Sequence, residues 1–220
     1  MGGDIDELPT TRATRRLHDP RRGLRSRGRP YPRAMGYVFD PKVLGECAKL
    51  GVGRPVEEAM DTITGALVER YGKHVYGGPR RWILNNAGGA MGQLTLLHAS
   101  LTEYLIFFGS PIGTEGHSGR YSTEVYDWVF DGQMWCYLEG ETQRTLYDPG
   151  TTAYLGSDRV KGYRIPDHAW MLEYSRGAIP SMLPFGLADS FLSTLDFKTV
   201  GRTFADYGRL TVGSLLRGKV

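Results

Sequence analysis

TEYLIFFG, residues 102–109, decides the fold of this chain. The run is short, bounded by Gly109 and rich in aromatic and branched residues, so it reads as a strand. Strand side chains alternate, which puts Tyr104, Ile106 and Phe108 on one face and Leu105 and Phe107 on the other. Apolar residues on both faces need cover on both sides. One side suits the domain core and the other a ligand cavity.

Similar runs recur from Arg81 to Tyr174: RWILNN, GQLTLLH, STEVYDWVF, QMWCYLEG, TQRTLYDPG, TAYLG, KGYRIP and AWMLEYS. Short strands between turn clusters indicate a sandwich or small barrel rather than a βαβ fold. Upstream, residues 40–72 carry Val56, Met60, Ile63, Leu67 and Tyr71 at helical spacing. Pro41 suits a first helical turn, and Gly51, Gly53 and Pro55 divide the segment into helices over 41–50 and 55–71. Downstream, residues 181–195 are nearly all apolar. The last segment puts Phe197, Val200, Phe204, Tyr207 and Leu216 on one side of a basic amphipathic helix, with Lys198, Arg202, Asp206 and Arg209 elsewhere. That pattern fits an interfacial helix or one packed on the barrel. The chain is therefore α+β.

Two acids lie inside apolar runs: Asp127 in EVYDWVF and Glu173 in HAWMLEYSRG. An ionised carboxylate is costly to bury there, so it pairs, raises its pKa, or both. Two of them on one apolar cavity make a proton donor and acceptor that water does not easily reach.

The chain has 220 residues and formal net charge +3. Residues 1–34 contain nine arginines and four acids, a local +5, which leaves about −2 from Met35 onward. That composition reads as a disordered basic extension, with Met35 as an alternative start, rather than a nucleic-acid or membrane arm. No run approaches the ~20 apolar residues that span a bilayer. The two cysteines, Cys47 and Cys136, form neither a disulfide framework nor zinc spacing.

Other motifs fall away. His117 in GTEGHSGR has no second histidine at ligand spacing, so no metal is expected. NAGGAMG lacks the GKS/T ending of a phosphate loop. Ser118 and Ser181 lack the context of a nucleophile elbow. No nucleic-acid partner is expected after residue 35.

NNAGGAMGQLTLLHASLTEYLIFFGSPIGTEGHSGRY, EVYDWVFDG, WMLEYSRGAIPSMLPFGLADSFLSTLD and the ending LLRGKV together resemble the fungal sterol C-8 isomerases and their animal relative, the sigma non-opioid receptor. The resemblance runs from about Met35 to Val220, and GTEGH and MLPFG look closer to the isomerase branch. It implies a cupin-like β-barrel over 81–177, with an N-terminal helical segment and two C-terminal membrane-facing helices in 178–220. It also implies a homotrimer, no cofactor, and a sterol or lipophilic amine as ligand. Membrane association would be at the endoplasmic reticulum in a eukaryote, and peripheral here because the arginine-rich leader stands where members carry a spanning helix. The receptor branch's amine-binding acid maps to Glu173, and the acid bonded to it maps to Asp127. Pocket residues map to Tyr104, Ile106, Phe108, Tyr121, Ile179, Leu183 and Tyr207. Ala90 stands where the receptor branch has a tryptophan, implying a roomier pocket.

For such an isomerase, moving a ring double bond from Δ8 to Δ7 adds a proton at C-9 and removes one from C-7 through a cation at C-8. The acid must be protonated near neutral pH, as burial and a neighbouring carboxylate arrange. Glu173 is the expected donor with Asp127 sharing its proton, although the reverse stays open because the pair titrates as one unit. His117 is a candidate relay or base at C-7, or a histidine that shapes its Gly-rich turn. Arg120 or Arg176 could make Asp127 a plain ion pair. A receptor-like protein that binds without turnover carries the same two acids.

Overall fold

The structure is a computed structural model that describes residues 36–219. The basic extension expected over 1–34 lies outside the described residues.

Two helices come first. α1 (Pro41–Lys49) starts where the Asp40 side chain accepts from the Lys42 N–H, with Pro41 in the first turn. α2 (Val56–Tyr71) buries Ala59, Met60, Ile63 and Leu67 at the expected helical spacing.

Ten strands follow among the described residues: β1 (Ile83–Ala87), β2 (Ala90–Ala99), β3 (Glu103–Ser110), β4 (Thr114–His117), β5 (Thr123–Gly132), β6 (Met134–Leu138), β7 (Thr145–Tyr147), β8 (Thr152–Leu155), β9 (Lys161–Ile165) and β10 (Ala169–Gly177). They form a six-stranded sheet ordered β1-β2-β3-β10-β5-β8 and a four-stranded sheet ordered β4-β9-β6-β7. From β3 to β10 the chain passes repeatedly between the two sheets. The resulting orders, β3-β10-β5-β8 and β4-β9-β6-β7, are those of a jelly roll, the cupin architecture.

The central sheet is covered on both faces, as the alternation in TEYLIFFG requires. On its outer face Leu105 and Phe107 join Trp128, Phe130, Leu172 and Tyr174 beneath α1 and α2. On its inner face Ile106 and Phe108 meet Met134, Cys136, Ile165 and Met171 inside the barrel.

NAGGAMG is a hairpin. Gly88 and Gly89, with φ of 62° and 84°, form the two-residue turn between β1 and β2, a conformation that favours glycine. The turn explains the glycines without a phosphate.

The sequence reading missed β4. Its four residues, TEGH, contain no apolar run and hold their place by pairing with β9. TQRTLYDPG narrows to the three residues of β7.

After a 3-10 turn at Ile179–Met182 come α3 (Leu183–Leu192) and α4 (Phe197–Leu216). α3 packs on β1, and α4 on β1 and β2. The face expected on α4 divides. Val200 is buried and Tyr207 half-buried, whereas Phe197, Phe204 and Leu216 are exposed. The inner face of α4 is mostly polar: Asp206 pairs with Arg81 at 3.1 Å, Tyr207 donates to the Ser100 carbonyl at 2.8 Å, and Ser214 donates to the Ala99 carbonyl at 2.8 Å. Polar groups bind this helix to the barrel and leave an apolar stripe outside. Among the described residues, no helix is long and apolar enough to cross a membrane.

Candidate active site

Strand register brings the acids together. Ile106 on β3, Glu173 on β10, Asp127 on β5 and Ala153 on β8 form one row of cross-strand partners. Ile106, Asp127 and Glu173 of this row line a cavity of about 220 Å³ between the sheets, whose wall also includes residues of α3 and α4. Every site residue expected from sequence lines this cavity: Glu173, Asp127 and His117, with Tyr104, Ile106, Phe108, Tyr121, Ile179, Leu183 and Tyr207.

Glu173 is the perturbed acid. Its pKa rises to about 8, mainly because it is buried and then because Asp127 is its neighbour, against the opposing pull of the Tyr104 hydrogen bond and the Lys161 charge. Tyr104 donates to Glu173 Oε1 at 2.5 Å. Burial, and then the Glu173 charge, raise the phenols of Tyr104, Tyr121 and Tyr163, so these groups stay protonated.

Asp127 has a partner that the sequence reading did not name. Lys161, on β9 in the opposite sheet, crosses the interior and donates to Asp127 Oδ2 at 2.5 Å, with both side chains almost fully covered. Burial is the largest influence and opposes the lysine's charge, but the attraction of and hydrogen bond to Asp127, with the attraction of Cys136 and Glu173, together outweigh it and the lysine pKa rises. Arg120 and Arg176 do not fill this place. Arg120 pairs with Glu139 at 2.7 Å and Arg176 with Glu124 at 2.6 Å. A signal for Lys161 was present: in KGYRIP it shares a strand face with Tyr163 and Ile165, both inward.

His117 sits at the exposed edge of the cavity. Its Nδ1 accepts from the Gly119 N–H at 2.9 Å, a contact that shapes the glycine turn. Tyr207 contributes its ring, since its hydroxyl is taken by Ser100. Ala90 is buried, lies near Gly116 and does not reach the cavity wall. Phe185 of α3, unnamed from sequence, packs edge-on to Tyr121 at 5.5 Å, and Asp189 ties α3 to the β1–β2 turn by accepting from the Gly89 N–H at 3.0 Å. Among the described residues, no three His, Cys, Asp or Glu side chains gather to hold a metal.

A model of the family described as "ERG2 and Sigma1 receptor like protein" matches residues 30–219. The chain belongs to this family. Among its relatives, the C-8 sterol isomerase of Neurospora crassa is 43% identical over 187 residues, covering 83% of this chain and 73% of that protein. Protein erg2 homolog of Dictyostelium discoideum is 42% identical, with 83% and 78% covered. The sigma non-opioid intracellular receptor 1 of Gallus gallus is 40% identical, with 82% and 80% covered. Overall identity therefore barely separates the two branches of the family. Among solved structures, an RmlC-like cupin from Shewanella frigidimarina aligns with TM-score 0.42 and 14% identity, covering 50% of this family member and 95% of that chain.

Proposed function

We propose that this chain is a C-8 sterol isomerase that moves a ring double bond from Δ8 to Δ7. The observation that carries the reading is Glu173, a carboxyl with its pKa raised to about 8 in an apolar cavity beside a second acid. A protonated carboxyl near neutral pH is a competent general acid. Its proton goes to C-9 as the C8=C9 electron pair forms the new C–H bond. The cation left at C-8 lies among aromatic rings and close to the Asp127 carboxylate. Each suitably placed ring adds cation–π stabilisation of about 1 kcal/mol, and the carboxylate stabilises the same charge. The C-7 C–H bond then breaks, its electrons form C7=C8, and the carboxylate pair, one proton short, takes the proton back. The net change is isomerisation with no electron gained or lost. His117 lies at the solvent edge, so proton transfer at the ring is assigned to the pair.

The apolar outer stripe of α4, with the exposed Leu192 at the end of α3 and Leu195 just beyond it, supports contact with a membrane surface. Lys198, Arg202 and Arg209 flank that stripe, as suits a lipid interface. A substrate dissolved in lipid would then meet the side of the cavity that α3 and α4 line.

The test is turnover of a Δ8-sterol by purified protein in detergent and deuterated water, with Glu173→Gln alongside. Deuterium in a Δ7 product, lost in the variant, supports the reading. No product from the wild type, with tight binding of a lipophilic amine, moves the protein to the receptor-like class that its sigma relatives represent.

A further inference from the structure

We propose that Lys161 is the positioning residue that assigns the single proton of the carboxylate pair to Glu173, a proposal that rests on the isomerase reading of the same site. The two acids are direct cross-strand partners with similar intrinsic acidity, so register alone does not decide which holds the proton. The surroundings break the symmetry. Asp127 receives an ammonium from the opposite sheet at 2.5 Å, with lysine and aspartate both nearly inaccessible to water. Glu173 receives a neutral phenol, from Tyr104, also at 2.5 Å. A buried cation favours the ionised form of the carboxylate it touches, whereas a phenol satisfies an oxygen without neutralising charge. Asp127 therefore stays ionised, and the proton resides on Glu173.

The other titratable groups around the pair do not reverse this assignment. Tyr121 precedes β5, and Tyr163 shares β9 with Lys161. Both keep their protons and line the same cavity. Cys136 on β6 and Tyr147 on β7 feel the Asp127–Lys161 pair, and both are held in the neutral form chiefly by burial. Among the described residues, Lys161 is the one lysine or arginine in the cavity wall. It leaves net charge in the Lys161–Asp127–Glu173 group near zero while Glu173 is protonated. It also places the aspartate's negative charge beside the acid, ready for a substrate cation.

The experiment is difference infrared spectroscopy of the full chain in detergent, following the carbonyl stretch of a protonated carboxyl at neutral pH. The variants are Glu173→Gln, Lys161→Met, Lys161→Arg and Lys161→Met with Glu173→Gln. The expected result is a band in the wild type that is absent in Glu173→Gln and returns in the double variant, because Asp127 becomes protonated once the ammonium is gone. In turnover, Lys161→Met should lower kcat about tenfold for each pKa unit by which the proton's residence on Glu173 is weakened. The alkaline limb of the pH profile moves upward, while KM changes little. Lys161→Arg keeps the limb in place. A merely structural lysine would lower the melting temperature and the yield of active protein without moving the limb. A protonated Asp127 band in Glu173→Gln with Lys161 intact overturns the proposal, even if Lys161→Met fails to fold. An unmoved limb in folded Lys161→Met also overturns it. Absence of turnover in the wild type, with the infrared pattern as expected, refutes the isomerase reading and leaves the proton assignment standing.

Discussion

Asp127 and Glu173 face each other as direct partners in the β5–β10 ladder, on the cavity side of the sheet. Their second contacts differ in charge, Lys161 for the aspartate and Tyr104 for the glutamate. Two equal acids thereby become unequal ones, and the difference sets the expectations for activity and pH.

Glu173→Gln keeps the size and much of the hydrogen bonding of the side chain but cannot give a proton. Isomerisation should fall by about 10² to 10⁴-fold with the fold retained. Product formation by mass spectrometry, beside a thermal melt, checks both halves. Turnover within a few-fold of wild type would remove Glu173 from the chemistry.

The pH dependence follows from the direction of the shift. Glu173 keeps its proton to about pH 8 when folded, against an ordinary value of 4.5. Between those values the folded chain binds one proton more than the unfolded chain, so its contribution makes stability fall as pH rises, by up to about 1.4 kcal/mol per unit. Activity that needs the protonated acid is full below the folded value and lost above it. Denaturant titrations at pH 5 to 8 should show a decline that flattens in Glu173→Gln. An equal slope in both proteins would contradict the raised pKa.

A second buried acid holds the chain end. Glu103, fully covered, accepts from Lys219 at 2.9 Å, Tyr174 at 2.7 Å and the Val38 N–H at 2.7 Å. Lys219→Ala leaves that carboxylate buried without its cation and should cost about 3 kcal/mol. Equilibrium urea unfolding measures the loss, and a change under 1 kcal/mol would show that the remaining donors, Tyr174 and the Val38 and Phe39 N–H groups, suffice.

At the β1–β2 turn, two neighbouring glycines should respond differently. A Cβ at Gly88 would fall 2.3 Å from the His117 carbonyl oxygen and 2.5 Å from Phe185, whereas one at Gly89 meets nothing within 4 Å. Gly89→Ala carries only the backbone penalty, about 1 kcal/mol. Gly88→Ala adds a clash and should cost at least about 1 kcal/mol more, displacing α3 from the cavity. Paired melts and lipophilic-amine binding separate the two variants.

On α4, Phe204→Ser and Leu216→Ser remove exposed apolar surface. Vesicle association should weaken while stability stays within about 0.5 kcal/mol of wild type. Unchanged vesicle binding would argue against membrane contact through this helix.

Much of the architecture was legible because it rests on local periodicity. Alternation in TEYLIFFG foretold a sheet covered on both faces, and helical spacing placed α1 and α2 to within a residue or two. β4 was hidden because a four-residue polar strand is made by its partner and not by its own side chains. α4 was half legible: its amphipathy could be read, but not which side faces the barrel, since here polar hydrogen bonds do the docking.

The residues Glu-Tyr occur twice, at 103–104 and 173–174, and mark the boundary between the two kinds of information. Sequence alone determined that each acid sits in an apolar strand beside a tyrosine facing the opposite way, because side chains alternate along a strand. It also pointed to Asp127 and Glu173 as the pair worth testing. Only the tertiary structure decided the partners. Antiparallel register crosses the two dipeptides, so Tyr104 serves Glu173 inside the barrel while Tyr174 serves Glu103 beneath the helices. It also carried Lys161 across from the other sheet to Asp127. Electrostatic character depends on distances of a few ångströms between strands far apart in the chain, and no local pattern encodes those distances.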